Sequence, residues 1–188
     1  MNRKRLFAGL LITILALTSC TIIYQLLLNG CIFWNCAPDR SFSVLDLDLP
    51  DSLFPESAEI LPLSTLSELD GAIEAGANTV YWNEYQGRSV YDVRRYGTEK
   101  SASDFYIREV KNIVARYGEI PIDYTSQNAD EYFTTCGYSD TGHRCWFVGR
   151  YQEFVIVFVV SINGEMSVDR FKEIVKYIDK QISDNLAG

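Results

Sequence analysis

The chain has 188 residues, with 25 Asp and Glu against 17 Lys and Arg and a formal net charge of −8. The charge is unevenly placed: residues 1–36 hold three basic groups and no acid, so residues 37–188 carry −11. An acidic body speaks against nucleic acid, whose phosphates require a basic face, and against a polybasic grip on anionic lipid.

Arg3, Lys4 and Arg5 open the chain, and no further charge occurs before Asp39. Within that gap Leu6–Leu28 spans 23 positions, broken only by Thr13, Thr18, Ser19, Thr21 and Gln25 among polar types. A hydrocarbon core of about 30 Å needs about 20 apolar residues of helix, so the run is long enough to span a bilayer. Basic residues ahead of it favour a cytoplasmic N-terminus and an exported remainder.

A second reading divides the same stretch into a basic region, Met1–Arg5, an apolar region, Leu6–Leu17, and the tetrapeptide Leu17-Thr18-Ser19-Cys20. That tetrapeptide resembles the lipobox of bacterial lipoprotein signal peptides. The resemblance implies that Cys20 becomes the new N-terminus and carries the lipid. The following Thr21–Leu28 stays apolar where such proteins usually begin a polar tether. A cleaved and released protein is a third possibility. All three place the bulk of the chain on the extracytoplasmic side of a cell membrane. Residues 1–28 are therefore expected to be a signal or anchor segment, 29–75 a membrane-exit and acidic wrapping segment, and 76–188 the globular domain.

Export decides how the cysteines are read. Cys20 lies in the apolar run, leaving Cys31, Cys36, Cys136 and Cys145, and an even set in an exported domain points to disulfides. Local pairs, Cys31–Cys36 and Cys136–Cys145, are the economical pattern, although four cysteines allow three connectivities. A four-cysteine zinc site is the rival, but the spacings are not the paired C-x2-C of zinc ribbons.

Asn29–Pro38 leaves the membrane with Phe33 and Trp34, which suit the interfacial layer. Asp39–Glu74 then carries nine acids against Arg40 alone, with Pro50, Pro55 and Pro62. Alternation predicts an edge strand over 44–49, with Leu45, Leu47 and Leu49 facing inward. Asp46, Asp48 and Asp51 do not make an EF-hand, since the loop's required glycine and distal Glu fall on Asp51 and Ser57.

Thr79–Tyr85 and Arg88–Tyr96 read as a hairpin, aromatic and β-branched on both sides of Gln86-Gly87. Arg94 and Arg95 are adjacent in a strand and so point to opposite faces. Ser101–Tyr117 has the i, i+3, i+4 spacing of a helix, with Ser101 as its cap and Gly118 as its end. Ile120–Thr125 reads as a short strand. Ala129, Tyr132, Phe133 and Cys136 predict a short helix over 126–136, ended by Gly137. A second hairpin follows, Arg144–Tyr151 and Phe154–Asn163, turning near Gln152. Residues 154–160 are apolar on both faces, which places that strand at the centre of a covered sheet. Ser167 caps a last helix with the stripe Val168, Phe171, Ile174, Val175, Ile178 and Ile182.

The sum is an α+β fold, a mostly antiparallel sheet sandwiched by helices, preceded by an N-terminal membrane anchor. In element order alone it is similar to the PsbP-like sandwiches of exported and thylakoid lumen proteins, a likeness that carries no function. His143 is the single histidine, and no G-x-S-x-G, G-x-G-x-x-G or Walker loop occurs. No catalytic residue, cofactor or metal is therefore assigned. The expectation is a non-enzymatic binding or envelope-accessory module with an unknown protein or small-ligand partner. Its candidate contact residues are Tyr81, Tyr85, Tyr138 and His143. A carboxylate-dependent exported hydrolase and a small-ligand sensor are the rivals.

Overall fold

The structure, a computed structural model, describes residues 3–29, 31, 35–67, 69–84, 86–139 and 142–188, with 3–10, 25–29 and 139 described by backbone alone. Phe33, Trp34 and Tyr85 lie outside the described residues. Among the described residues three α-helices and eight strands follow in the order α1 (Arg3–Asn29), β1 (Glu59–Ile60), β2 (Ser64–Thr65), β3 (Ala72–Trp82), β4 (Gly87–Tyr96), α2 (Glu99–Tyr117), β5 (Ile120–Pro121), β6 (Glu131–Ser139), β7 (Gly142–Tyr151), β8 (Phe154–Ser161) and α3 (Val168–Ala187). The strands form one sheet in the order β1-β3-β4-β8-β7-β6-β5, with β2 also on β3, and the pairings between described strands are antiparallel. The fold is thus α+β with a mostly antiparallel sheet. β8 sits at its centre, where the doubly apolar run 154–160 belongs.

Register and two-residue alternation assign each side chain to a face. One face carries Val80, Tyr91, Phe147, Phe154, Ile156 and Phe158, and α3 covers it with Phe171, Ile174, Val175, Ile178 and Ile182. Val44, Leu47, Leu49 and Phe54 enter the same core, so the acidic segment is wrapped on by its apolar residues. Each such fully buried side chain contributes about 1.5–3 kcal/mol. On the other face Ala75, Trp146, Val148 and Val155 meet Ala102, Phe105 and Ile113 of α2. β3 opens at Ala72, ahead of residue 76 where the globular domain was expected to begin.

Three local expectations are corrected. Residues 44–49 are not a strand: Val44–Leu47 is one 3-10 turn, closed by a reciprocal capping box between Ser43 and Asp46. Val44 and Leu47, three apart, are buried, whereas Leu45 is exposed, as the threefold repeat of that turn dictates. Residues 126–136 are not a helix: a loop leads into β6, which sends Tyr132 and Cys136 to the α3 face and Phe133 to the α2 face. Burial on both sides erased the alternation that would have marked the strand. Helix α2 starts at Glu99, because Thr98 rather than Ser101 is the cap, its hydroxyl accepting from the Ser101 N–H.

All 14 described side chains of α1, residues 11–24, are exposed, among them Leu11, Ile12, Ile14, Leu15, Leu17 and Ile23. None of them joins either core cluster. Among the described residues no helix is long and apolar enough to cross a membrane.

Candidate functional site

The β6–β7 hairpin places two cross-strand pairs side by side, Cys136 opposite Cys145 and Tyr138 opposite His143. Positions two apart along a strand share a face, so all four side chains lie on the α3 side of the sheet. Cys136 and Cys145 are joined in a disulfide, as are Cys31 and Cys36. Beyond the buried Cys136–Cys145 bond, the Tyr138 ring stacks on the His143 imidazole with centroids 4.8 Å apart. Tyr138 is 71% exposed and His143 half-buried, so the pair presents an aromatic surface at the sheet's end.

Cys136, His143 and Cys145 bring three ligand-type atoms within 4.8 Å of one another. Both sulfurs are already bonded to each other, however, and a disulfide sulfur is not the thiolate that binds metal. One imidazole remains, which does not make a metal set.

Tyr81 is not part of this surface. It lies on β3, four strand spacings or about 19 Å from β6, and points to the α2 face, where the Arg88 guanidinium sits 5.7 Å from its ring centroid. Of the four candidate contact residues, the fold brings together Tyr138 and His143. Cys20 is a free, exposed cysteine within α1.

Two carboxylates, Glu153 and Asp179, are buried within the domain, and the sequence reading singled out neither. Glu153 is fully buried at the β7–β8 turn and paired with Arg40, Nε to Oε1 at 2.7 Å and Nη2 to Oε2 at 2.9 Å. Asp179, on α3, accepts hydrogen bonds from the Tyr151 hydroxyl at 2.9 Å, Ser126 Oγ at 2.5 Å, Asn128 Nδ2 at 3.1 Å and the Gln127 N–H at 3.2 Å. Burial first, and then the Asp179 charge, pushes the Tyr151 hydroxyl far above the ordinary tyrosine range. A sequence signal for Asp179 did exist. Val175, Ile178, Asp179 and Ile182 are one i, i+3, i+4, i+7 stripe, and an acid inside a core stripe must find donors. Both carboxylates spend their acceptor capacity holding distant segments together.

No family model matches the chain, and no curated protein matches it.

Proposed function

We propose that the protein is a membrane-anchored extracytoplasmic module that binds a partner or assists an envelope assembly without catalysing a reaction. The observation that carries this reading is α1, whose described apolar side chains are exposed all round and join neither core cluster of the domain. Water would not stabilise such a helix, but lipid does. Its polar side chains also suit a bilayer. Thr18 Oγ1 donates to the Ile14 carbonyl at 3.0 Å, Ser19 Oγ to the Leu15 carbonyl at 2.8 Å and Thr21 Oγ1 to the Thr18 carbonyl at 2.9 Å. Each of these three hydroxyls is thus satisfied within the helix and does not face hydrocarbon as an unpaired donor. Two disulfides beyond the helix fit the oxidising side of the membrane.

Alkaline carbonate extraction of membranes, with protease added to intact cells, tests the reading. Retention in the pellet and digestion of the domain from outside are expected; release by carbonate, or full protection, would overturn it. Intact mass then separates a diacylglycerol-modified Cys20 from a retained Met1. The partner is expected to engage the Tyr138–His143 surface, so Tyr138→Ala with His143→Ala should abolish its cross-linking in native membranes.

A further inference from the structure

We infer that residues 37–42 form a latch that fixes the attitude of the domain on the membrane, with the β4–α2 corner and the β7–β8 turn held against the bilayer. The inference rests on the reading of α1 as membrane-embedded.

The tether is short. Eight residue steps separate Asn29, where α1 ends, from Ala37, a reach of about 28 Å for an extended chain. The Cys31–Cys36 bond brings those two Cα atoms to 5.0 Å, which cuts the reach to about 16 Å. Cys31 is itself buried, so the disulfide is seated against the protein.

Beyond the loop the chain is fastened at Ala37, Pro38, Arg40 and Phe42 to one end of the sheet. The Ala37 N–H donates to the Gly97 carbonyl at 2.8 Å. Arg95 donates from Nη2 to the Pro38 carbonyl at 2.5 Å. Arg40 forks onto the fully buried Glu153, and Phe42 stacks on Phe154 with ring centroids 5.3 Å apart. Arg95, Gly97, Glu153 and Phe154 all lie where β4 ends and β8 begins, since Arg95 pairs with Phe154 in the ladder. A bidentate guanidinium–carboxylate pair has a fixed geometry, and burial of Glu153 makes releasing it strongly unfavourable. Residues 37–42 and the domain therefore move as one body.

The opposite end of the sheet carries the β3–β4 turn, the β6–β7 turn with Tyr138 and His143, and the loop after β8. The eight residues of β8 set it about 25 Å further from the junction. The partner surface is thereby presented outward, at the far end from the lipid.

The full-length protein in phosphatidylcholine vesicles containing a nickel-chelating lipid tests this, with a nitroxide attached through a genetically encoded azide at Lys100 or at Gly164. Lys100 is exposed beside the junction, and Gly164 is at the far end with open space around its Cα. Headgroup nickel should relax the Lys100 label several-fold more than the Gly164 label. Cys31→Ser, Cys36→Ser and Arg40→Ala together should bring the two labels towards equality. Equal or reversed relaxation in the unaltered protein, while it floats with the vesicles, overturns the fixed attitude alone. Failure to float overturns the membrane reading, and this inference with it. Full asymmetry in the triple variant would show that the latch is not what sets the attitude. The unaltered protein's two labels decide the attitude even if that variant fails to fold.

Discussion

Asp179 occupies a position where the helix stripe calls for an apolar residue, and four donors from the 126–128 loop and β7 converge on it. Asp179→Ala leaves the Tyr151 hydroxyl buried without an acceptor and frees the loop that leads into β6. Hydrogen bonds to charged groups are worth about 1.5–3 kcal/mol, and stranded donors add to the loss, so a drop of about 2–4 kcal/mol is expected in urea unfolding of the chain in detergent. A loss below about 1 kcal/mol would mean the network is not structural. Glu109 gives a pH signature instead. Burial, then the neighbouring Asp92, raises its pKa above the ordinary carboxylate value. The folded state therefore holds that proton more tightly than the unfolded chain. The favourable contribution is fully present below the unfolded pKa and is lost as pH rises through the folded one. Glu109→Gln should accordingly raise the unfolding midpoint at pH 7, and the gain should vanish below about pH 4. A gain independent of pH would sink the argument.

Element by element, legibility followed burial on one side. Helices α2 and α3 and strands β4, β7 and β8 were readable because each shows a clear period or a continuous apolar run. The first half of β3 was not. Residues 72–78 are mostly small or polar, with low β-propensity, because Leu45, Val44 and Leu63 lie against the backbone there; a Cβ on Gly76 would sit 3.2 Å from Leu45 Cδ2. The β6 strand was misread because Tyr132, Phe133 and Cys136 serve two faces. Its pairing is nevertheless fixed by the disulfide that the cysteine count suggested. Replacing Cys136 and Cys145 together by Ser should lower stability by about 2–3 kcal/mol, the loop-closure entropy of so short a ring. Denaturant titration with and without reductant measures it, and reductant should have no effect of that size on the variant. The β3–β4 hairpin depends on a different device. The Trp82 indole lies across Gly87, where a Cβ would meet Nε1 at 2.0 Å, and that Nε1–H reaches Asn163 Oδ1 at 3.4 Å. Gly87→Ala must displace the ring from the core, at about 1–3 kcal/mol, with a shift in tryptophan emission. An unchanged spectrum would contradict this packing.

At the scale of the molecule, hydropathy and charge made the division between the apolar N-terminal run and the acidic body visible, but nothing local showed which residues fasten the two ends of that body together. Arg40 looked like a stray cation in an acidic segment, and Glu153 like a turn residue. Their pairing spans 113 positions, and nothing local records it. The consequence is a sharp boundary that truncation can locate. No described α1 side chain contributes to either core, so a chain starting at Cys31 should fold in water, form both disulfides and unfold at the same denaturant concentration as the full chain in detergent. A chain starting at Ser43 should differ. It lacks Arg40, leaving Glu153 fully buried with only the Arg95 guanidinium, 3.7 Å away, for compensation. Removing one partner of a buried pair costs about 3–5 kcal/mol, whereas replacing both by apolar groups is often neutral. The Ser43 chain should therefore be less stable by about that amount, and Glu153→Leu in the same chain should restore a large part of it. Equal midpoints for the two truncated chains would show that the Arg40–Glu153 pair adds nothing to the domain and that its fold begins after the latch.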